Sequence, residues 1–436
     1  MAAGSHHRRQ PAEESNAAGG GVNIVERLPP DILAEIHRHL TFLDRVAFAL
    51  VVRRDTGRVM TTDTPWLVLP SSASDETATL VSIADHKRTA AVPTCDPAMR
   101  GGHVVVGSSH GWLVTADAKG ALRLANPVTG AQAELPSVAT IPLFTVRSGV
   151  WFVLDGDDFA RLRFGGPPPY DDDTTWGPTP PRTFTLTADQ LRRCFYRKVV
   201  LSASPRSESF AAMLVTAPTF GVPAFATSED RNWRFAPSRE GVEDAIHHDG
   251  RFYSFTYSGL IEAWDRDVNS GGFTSKVVAP RLTVARCDKR RKYLAVAPDG
   301  RFMVVFKESM EVEGAYCRRK WTCVFKVQML DEARLGWQED PDIISDMAVF
   351  VGVNSSICVS TTEHPEIRAG CVYFTDDEIG KASLRQETHR SYSEPDNQLR
   401  SVSVYSFSED TVDKVIVNPE EYPRWPLPAW FTPSVF

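Results

Sequence analysis

Gly107 to Pro136 reads GSSHGWLVTADAKGALRLANPVTGAQAELP, and its punctuation decides the fold. Trp112 and Val114 fall on one side of an extended chain and Leu113 and Thr115 on the other, the period of two that marks a strand. Asp117-Ala118-Lys119-Gly120 is a hairpin turn, with glycine where a positive φ is easiest. Leu122 and Leu124 mark the next strand. Asn126 to Gly130 forms a second turn, and Ala131 to Leu135 a third strand.

The same stretch contains Gly107-Ser108-Ser109-His110-Gly111, which fits the G-x-S-x-G nucleophile elbow. That motif needs a strand before it and a helix after it, so that the serine stands at a sharp turn. Here a strand follows, without helical periodicity. Ser109 therefore reads as part of a strand-to-strand turn, and no catalytic residue is assigned. A hydrolase using Ser109 is the enzymatic alternative.

Working outward, the β pattern continues. Val150 to Leu154, the turn Asp155 to Asp158, and Phe159 to Phe164 read as a hairpin. Val199 to Ala203 and Phe210 to Thr216 flank a Ser/Pro turn. His248-Asp249-Gly250 opens a strand at Arg251, and Ser258-Gly259 leads into Leu260 to Asp265. Ala297-Pro298-Asp299-Gly300 separates Tyr293–Val296 from Arg301–Lys307. Val324 to Leu330, Met347 to Val351, Ile357 to Ser360, Cys371 to Thr375 and Val402 to Phe407 follow. Strands this short and this regularly punctuated belong to a sandwich, barrel or propeller. The length, 436 residues, favours a propeller of six or seven blades from about residue 65 to 436. Gly111-Trp112, Trp264-Asp265 and Pro298-Asp299-Gly300 resemble pieces of kelch and WD-repeat blades.

Composition excludes other classes. The chain is 42% hydrophobic and 24% charged, enough to bury a large core. Its net charge of -7 argues against general nucleic-acid binding. No run of 18 apolar residues is present to span a membrane. Residues 1–22 lack an apolar core and carry Glu13 and Glu14, so they read as a disordered tail rather than a signal. His6-His7-Arg8-Arg9 belongs to that tail. The seven cysteines, Cys95, Cys194, Cys287, Cys317, Cys323, Cys358 and Cys371, are odd in number and irregular in spacing. They read as mostly buried thiols in a reducing compartment, the cytoplasm and/or nucleus.

Residues 23–60 hold the helical signal. Pro29-Pro30-Asp31 suits a first helical turn. Ile32, Leu33, Ile36 and Leu40 recur at helical spacing. After Thr41-Phe42 a second helix carries Leu43, Val46, Ala47 and Leu50. Two helices this short cannot bury their apolar faces alone. The hairpin must dock on the rest of the chain or on another protein.

Leu28-Pro29-Pro30-Asp31-Ile32-Leu33-Ala34-Glu35-Ile36, with Leu40 following, resembles the start of an F-box. Leu50 to Asp55 lacks the Cys and Trp of the usual continuation. Pro65 to Pro70, the stretch from Gly107, Asp244 to Asp265, Tyr293 to Ser309, Val349 to Ser360 and the ending Trp425 to Ser434 resemble a plant F-box family. Its long C-terminal part is known as domain of unknown function 295. The resemblance implies that Leu28, Pro29, Ile32, Leu33, Ile36, Leu40 and Leu43 meet a Skp-type adaptor, and through it a cullin. It implies a non-catalytic receptor of a ubiquitin ligase whose propeller binds an unidentified protein target. The alternative is an interaction propeller with a degenerate F-box. No cofactor, metal, nucleic acid or membrane is expected to take part.

Three further stretches read blandly. Pro167 to Pro181, Pro/Asp-rich, is a flexible insertion between strands. Cys287-Asp288-Lys289-Arg290-Arg291-Lys292 is a solvated inter-strand loop rather than a nuclear-import patch. His247-His248-Asp249 is no metal site, because adjacent histidines in a strand point to opposite faces.

Overall fold

The computed structural model describes residues 28–40, 44, 48, 51–52, 64–69, 79–83, 88–90, 103–147, 151–155, 158–159, 183–207, 209–238, 240–282, 290–313, 319–331, 333–334, 336–339, 341–377, 402–415 and 427–434. The chain divides into two units, Met1–Thr61 and Thr62–Phe436. The first holds helix α1 (Pro30–His39). Among the described residues no helix is long and apolar enough to cross a membrane.

Among the described residues, the second unit is a propeller of six blades with one extra sheet. Blade 1 contains β1 (Trp66–Leu69), β2 (Thr79–Ser82) and β3 (Arg88–Ala90), and blade 2 contains β4 (Val104–Ser109), β5 (Trp112–Ala116), β6 (Leu122–Ala125) and β7 (Gln132–Leu135). The extra three-stranded sheet follows, made of β8 (Phe144–Arg147), β9 (Trp151–Asp155) and β10 (Thr183–Thr187), and leads into helix α2 (Ala188–Cys194). Blade 3 is β11 (Tyr196–Leu201), β12 (Ala211–Thr216), β13 (Pro223–Thr227) and β14 (Arg234–Phe235). Blade 4 is β15 (Val242–His248), β16 (Arg251–Thr256), β17 (Ile261–Arg266) and β18 (Phe273–Val277). Blade 5 is β19 (Arg290–Val296), β20 (Phe302–Glu313), β21 (Arg319–Asp331) and β22 (Gly336–Glu339). Blade 6 is a five-stranded sheet of β23 (Met347–Val351), β24 (Ile357–Ser360), β25 (Cys371–Phe374), β26 (Ser403–Ser406) and β27 (Thr411–Lys414). Finally β28 (Ala429–Phe431) returns to blade 1 and pairs antiparallel with β1, Trp66 opposite Phe431 and Val68 opposite Ala429.

The core is a chain of apolar layers between neighbouring blades. Blades 3 and 4 meet through Val200, Met213, Phe225, Val242 and Ala245, and blades 4 and 5 through Ile246, Phe255, Leu294 and Val304. Blades 5 and 6 share Tyr293, Val305, Phe325, Val349 and Phe374, while blades 6 and 1 share Phe350, Tyr373, Leu67 and Trp430. Blade 2 meets blade 3 directly: Ser109 Oγ accepts from Leu201 N at 3.3 Å. Trp233, just before β14, likewise donates from Nε1 to the Pro136 carbonyl at 2.7 Å. The sheet β8–β10 therefore stands outside the ring, packing Phe144, Phe152 and Leu154 on the layer between blades 2 and 3.

Blade 6 departs from a simple meander. β23 runs parallel to β25, because the intervening chain first turns back through antiparallel β24. The link from β23 to β24 reaches towards blade 2, where Ser355 N donates to the Ser108 carbonyl at 2.8 Å. In blade 5, β20 and β21 continue beyond the first residue of β19 by five pairs, Ser309–Cys323 to Glu313–Arg319.

One expected hairpin is corrected. β9 pairs with β8 and β10, not with a strand from Phe159 to Phe164. Phe159 is helical and buried, its ring against Phe144, Phe195, Phe220 and Phe235. Residues 160–182, including the Pro/Asp-rich stretch, lie outside the described residues, as does the N-terminal tail.

Candidate functional site

The helical segment starts as its residues dictate. Pro30 is the first helical residue, where its missing N–H is not needed, and acidic Asp31 complements the helix dipole. At about 100° per residue, Ile32, Ile36 and Leu33 span one apolar arc. Burial is graded across it. Ile32 is 43% exposed and Leu33 only 1%, with Ile36 half-buried between them. Leu28 and Leu40 are half-buried and Pro29 is exposed, while Leu43 lies outside the described residues. Of the second helix, Asp44, Phe48, Val51 and Val52 are helical, with Val51 exposed and Val52 buried. The structure thus leaves the Pro29–Ile32 edge of the arc open and turns Leu33 inward.

Ser109 ends β4, and His110 and Gly111 follow with φ of 52° and 79° before β5 begins at Trp112. Positive φ at both central residues is the mirror-image turn that suits a two-residue hairpin. The surroundings are strand–turn–strand, and Ser109 Oγ is engaged with blade 3. The His110 and His247 rings meet edge-on at 6.0 Å, while His248 points the other way to Phe302. Burial lowers the His110 pKa, and burial together with His110 brings His247 down to about 4. Among the described residues no group of three or more His, Cys, Asp or Glu side chains is placed to hold a metal. Of the thiols, Cys323 and Cys371 are buried, Cys358 is half-buried and Cys194 is exposed.

A second site lies where the inner strands begin. β11, β15 and β19 each carry two like charges as their second and third residues: Arg197-Lys198, Glu243-Asp244 and Arg291-Lys292. Asp376-Asp377 follows β25 in blade 6. The signs alternate from blade to blade, so each pair meets opposite charge on the next blade. Lys198 Nζ lies 2.5 Å from Asp244 Oδ1, and Lys292 Nζ 2.6 Å from Glu243 Oε2. Arg197 Nη2 is 3.4 Å from the same Glu243 carboxylate. Arg291 donates from Nε to Asp377 at 2.8 Å and from Nη1 to the Glu243 carbonyl at 2.9 Å. Tyr293 donates its hydroxyl to Asp377 at 3.0 Å and places its ring 4.7 Å from the Arg291 guanidinium. Backbone joins in: Leu294 N donates to Asp244 at 2.8 Å. Buried charges are tolerated only when paired and hydrogen-bonded in this way.

Here the expected solvated loop is corrected. Arg290 to Lys292 begins β19, and Arg291 and Lys292 are buried. Cys287, Asp288 and Lys289 lie outside the described residues. The signal for this site was a doubled charge at the start of an apolar strand, repeated in three consecutive blades.

Comparison with protein-family models gives the same architecture. The model of a family described as KIB1-4 beta-propeller matches residues 80–406. No curated protein matches the chain. Among solved structures, a putative 6-phosphogluconolactonase from Bacteroides uniformis is similar at 11% identity, covering 63% of this chain and 81% of that one, with a TM-score of 0.26. A puromycin hydrolase mutant complexed with PGG is similar at 14% identity, covering 82% of this chain and 52% of that one, with a TM-score of 0.29.

Proposed function

Because the chain belongs to the KIB1-4 beta-propeller family, we propose that it is the substrate-recognition subunit of a Skp-cullin-F-box type ubiquitin ligase. The observation that carries this reading is that the motif Leu28 to Ile36 leads into a helix from Pro30, with Pro29, Asp31 and Ile32 exposed, in a chain that continues into a propeller. In this reading α1 docks a Skp-type adaptor and through it a cullin, while the propeller holds a protein target. The chain does no chemistry of its own. It raises the local concentration of the target beside the ubiquitin-transferring machinery. Its place of work is the cytoplasm, the nucleus or both.

The test is co-purification with a Skp-type adaptor. Wild type binds, and Ile32→Asp or the double change Leu28→Ala with Pro29→Ala weakens binding more than tenfold, since about 1.4 kcal/mol suffices for that factor. A wild type that does not bind at micromolar concentrations sinks the ligase reading. The buried Leu33 favours the second reading in that event, an interaction propeller without an adaptor. Equal binding by wild type and variants moves the adaptor to another surface.

A further inference from the structure

Two buried oxygens of blade 6 approach one spot and make no hydrogen bond. The parallel ladder of β23 and β25 ends at the pair Val351–Phe374, with Thr375 N still donating to the Val351 carbonyl at 3.2 Å. One residue beyond, Gly352 lies beside Thr375. A Cβ on Gly352 would stand 2.3 Å from Thr375 Oγ1 and 3.0 Å from Asn354 Oδ1. The φ of Gly352 is not positive, so it is the space, and not the backbone conformation, that calls for glycine there. Gly352 and its chain neighbours aside, the next atom among the described residues is Thr375 Cβ, 3.6 Å away. Asn354 and Thr375 are fully buried, and neither Asn354 Oδ1 nor Thr375 Oγ1 has a hydrogen-bond partner. The amide cannot turn over to relieve this. Asn354 Nδ2 gives both hydrogens to carbonyls, those of Phe350 at 3.1 Å and Ser355 at 2.8 Å, and a flip would set Oδ1 against them.

We propose that this spot is a binding site for one buried water, which donates to Asn354 Oδ1 and bonds to the Thr375 hydroxyl. An amide oxygen or a hydroxyl withdrawn from water without a partner is costly, and a water between two such groups satisfies both. The amide oxygen only accepts, so the ligand must donate there; a water does so and can give to or take from the hydroxyl. Its place makes it a brace. It joins the turn between β23 and β24, which reaches blade 2 through Ser355, to the segment that carries Asp376 and Asp377. The inference stands on the propeller alone and is independent of adaptor binding.

The experiment is a crystal structure of the full chain at a resolution that shows ordered water, with urea unfolding beside it. A water at about 2.7–3.0 Å from both oxygens is expected. Thr375→Val replaces the hydroxyl by a methyl of similar shape. It takes away one anchor of the water and lowers the urea midpoint, whereas a hydroxyl without any partner would be relieved by the same exchange and the midpoint would hold or rise. Sodium, potassium and choline chloride at equal ionic strength give the same wild-type midpoint, as an uncharged ligand requires. Should Thr375→Val not fold, the wild-type crystal structure and the salt series decide alone. The proposal is overturned by a direct hydrogen bond between Thr375 and Asn354, by no density at the spot, by a Thr375→Val midpoint at or above wild type, or by a saturable gain with sodium or potassium over choline, which would make the ligand a cation.

Discussion

Asp377 shows how much one residue carries in this fold. Its side chain is 1% exposed and its carboxylate accepts from Arg291 and from Tyr293. Burial alone would raise its pKa, but Arg291, Lys307 and Arg197 bring it below the ordinary value. In the unfolded chain the same group takes up a proton below about pH 4. The native state stays ionised there, so this stabilisation is complete above about pH 4 and is lost as the pH falls further. The urea midpoint is therefore expected to fall steeply below pH 4. Asp377→Asn removes the nearest counter-charge of Arg291, leaving Asp244 at 3.7 Å, and costs about 3 kcal/mol near neutrality while flattening that acid slope. An unchanged slope in the variant would show that other carboxylates govern acid unfolding. His247 acts in a higher window. Burial and His110 hold it at about 4, against about 6.5 in the unfolded chain. Between these values the unfolded state binds a proton that the native state refuses, so stability declines as the pH drops from about 6.5 to 4. His247→Gln removes this component, which a urea series across that window detects.

Between elements, the tightest constraint is where β4 meets β11. A Cβ on Gly107 would stand 2.1 Å from the Val199 carbonyl oxygen, and backbone on an inner strand has nowhere to move. Gly107→Ala is expected to destabilise by about 1–3 kcal/mol through overpacking, read as a lower denaturant midpoint. A neutral outcome would mean that the inner strands slide freely past one another. The strands themselves were legible in the sequence, because turn chemistry at Asp117–Gly120, Asn126–Gly130 and Asp249-Gly250 sets hairpin limits locally. Phe159, expected to open a strand, is helical, because an apolar residue does not state which layer it fills. α2 was overlooked although Thr187 and Gln190 form a capping box, each side chain accepting from the other's backbone N–H at 3.2 and 2.9 Å. The doubled charges of β11, β15 and β19 look like solvated ends in sequence. Only their alternation across neighbouring blades 3 to 6 neutralises them, and that is a tertiary fact.

At the scale of the whole molecule, closure joins sequence positions more than 350 residues apart, which no local pattern reveals. β28 completes blade 1, and blade 1 must then meet both blade 6 and blade 2. Trp430, fully buried, lies edge-on to Phe350 of blade 6 at 5.1 Å. On the other side, Asn126 Nδ2 of blade 2 donates to the Ser434 carbonyl at 2.8 Å, and Gly111 leaves room for Ser434 that a side chain would fill. Deleting residues 427–436 thus removes a ladder strand and the buried side chains of Leu427, Trp430 and Phe431 together. Each large buried side chain is worth roughly 1.5–3 kcal/mol. A domain's whole stability is about 5–15 kcal/mol, so the loss is a large fraction of the total. It also exposes the β1 edge to pairing with other chains. The truncated chain is expected to melt at much lower temperature with reduced cooperativity and to associate, seen by calorimetry and light scattering. A synthetic peptide of residues 427–436 added in trans restores part of the midpoint by refilling the vacant strand. A truncated chain that melts as wild type does, or a peptide without effect on a chain that has lost stability, would place the closure of the ring elsewhere.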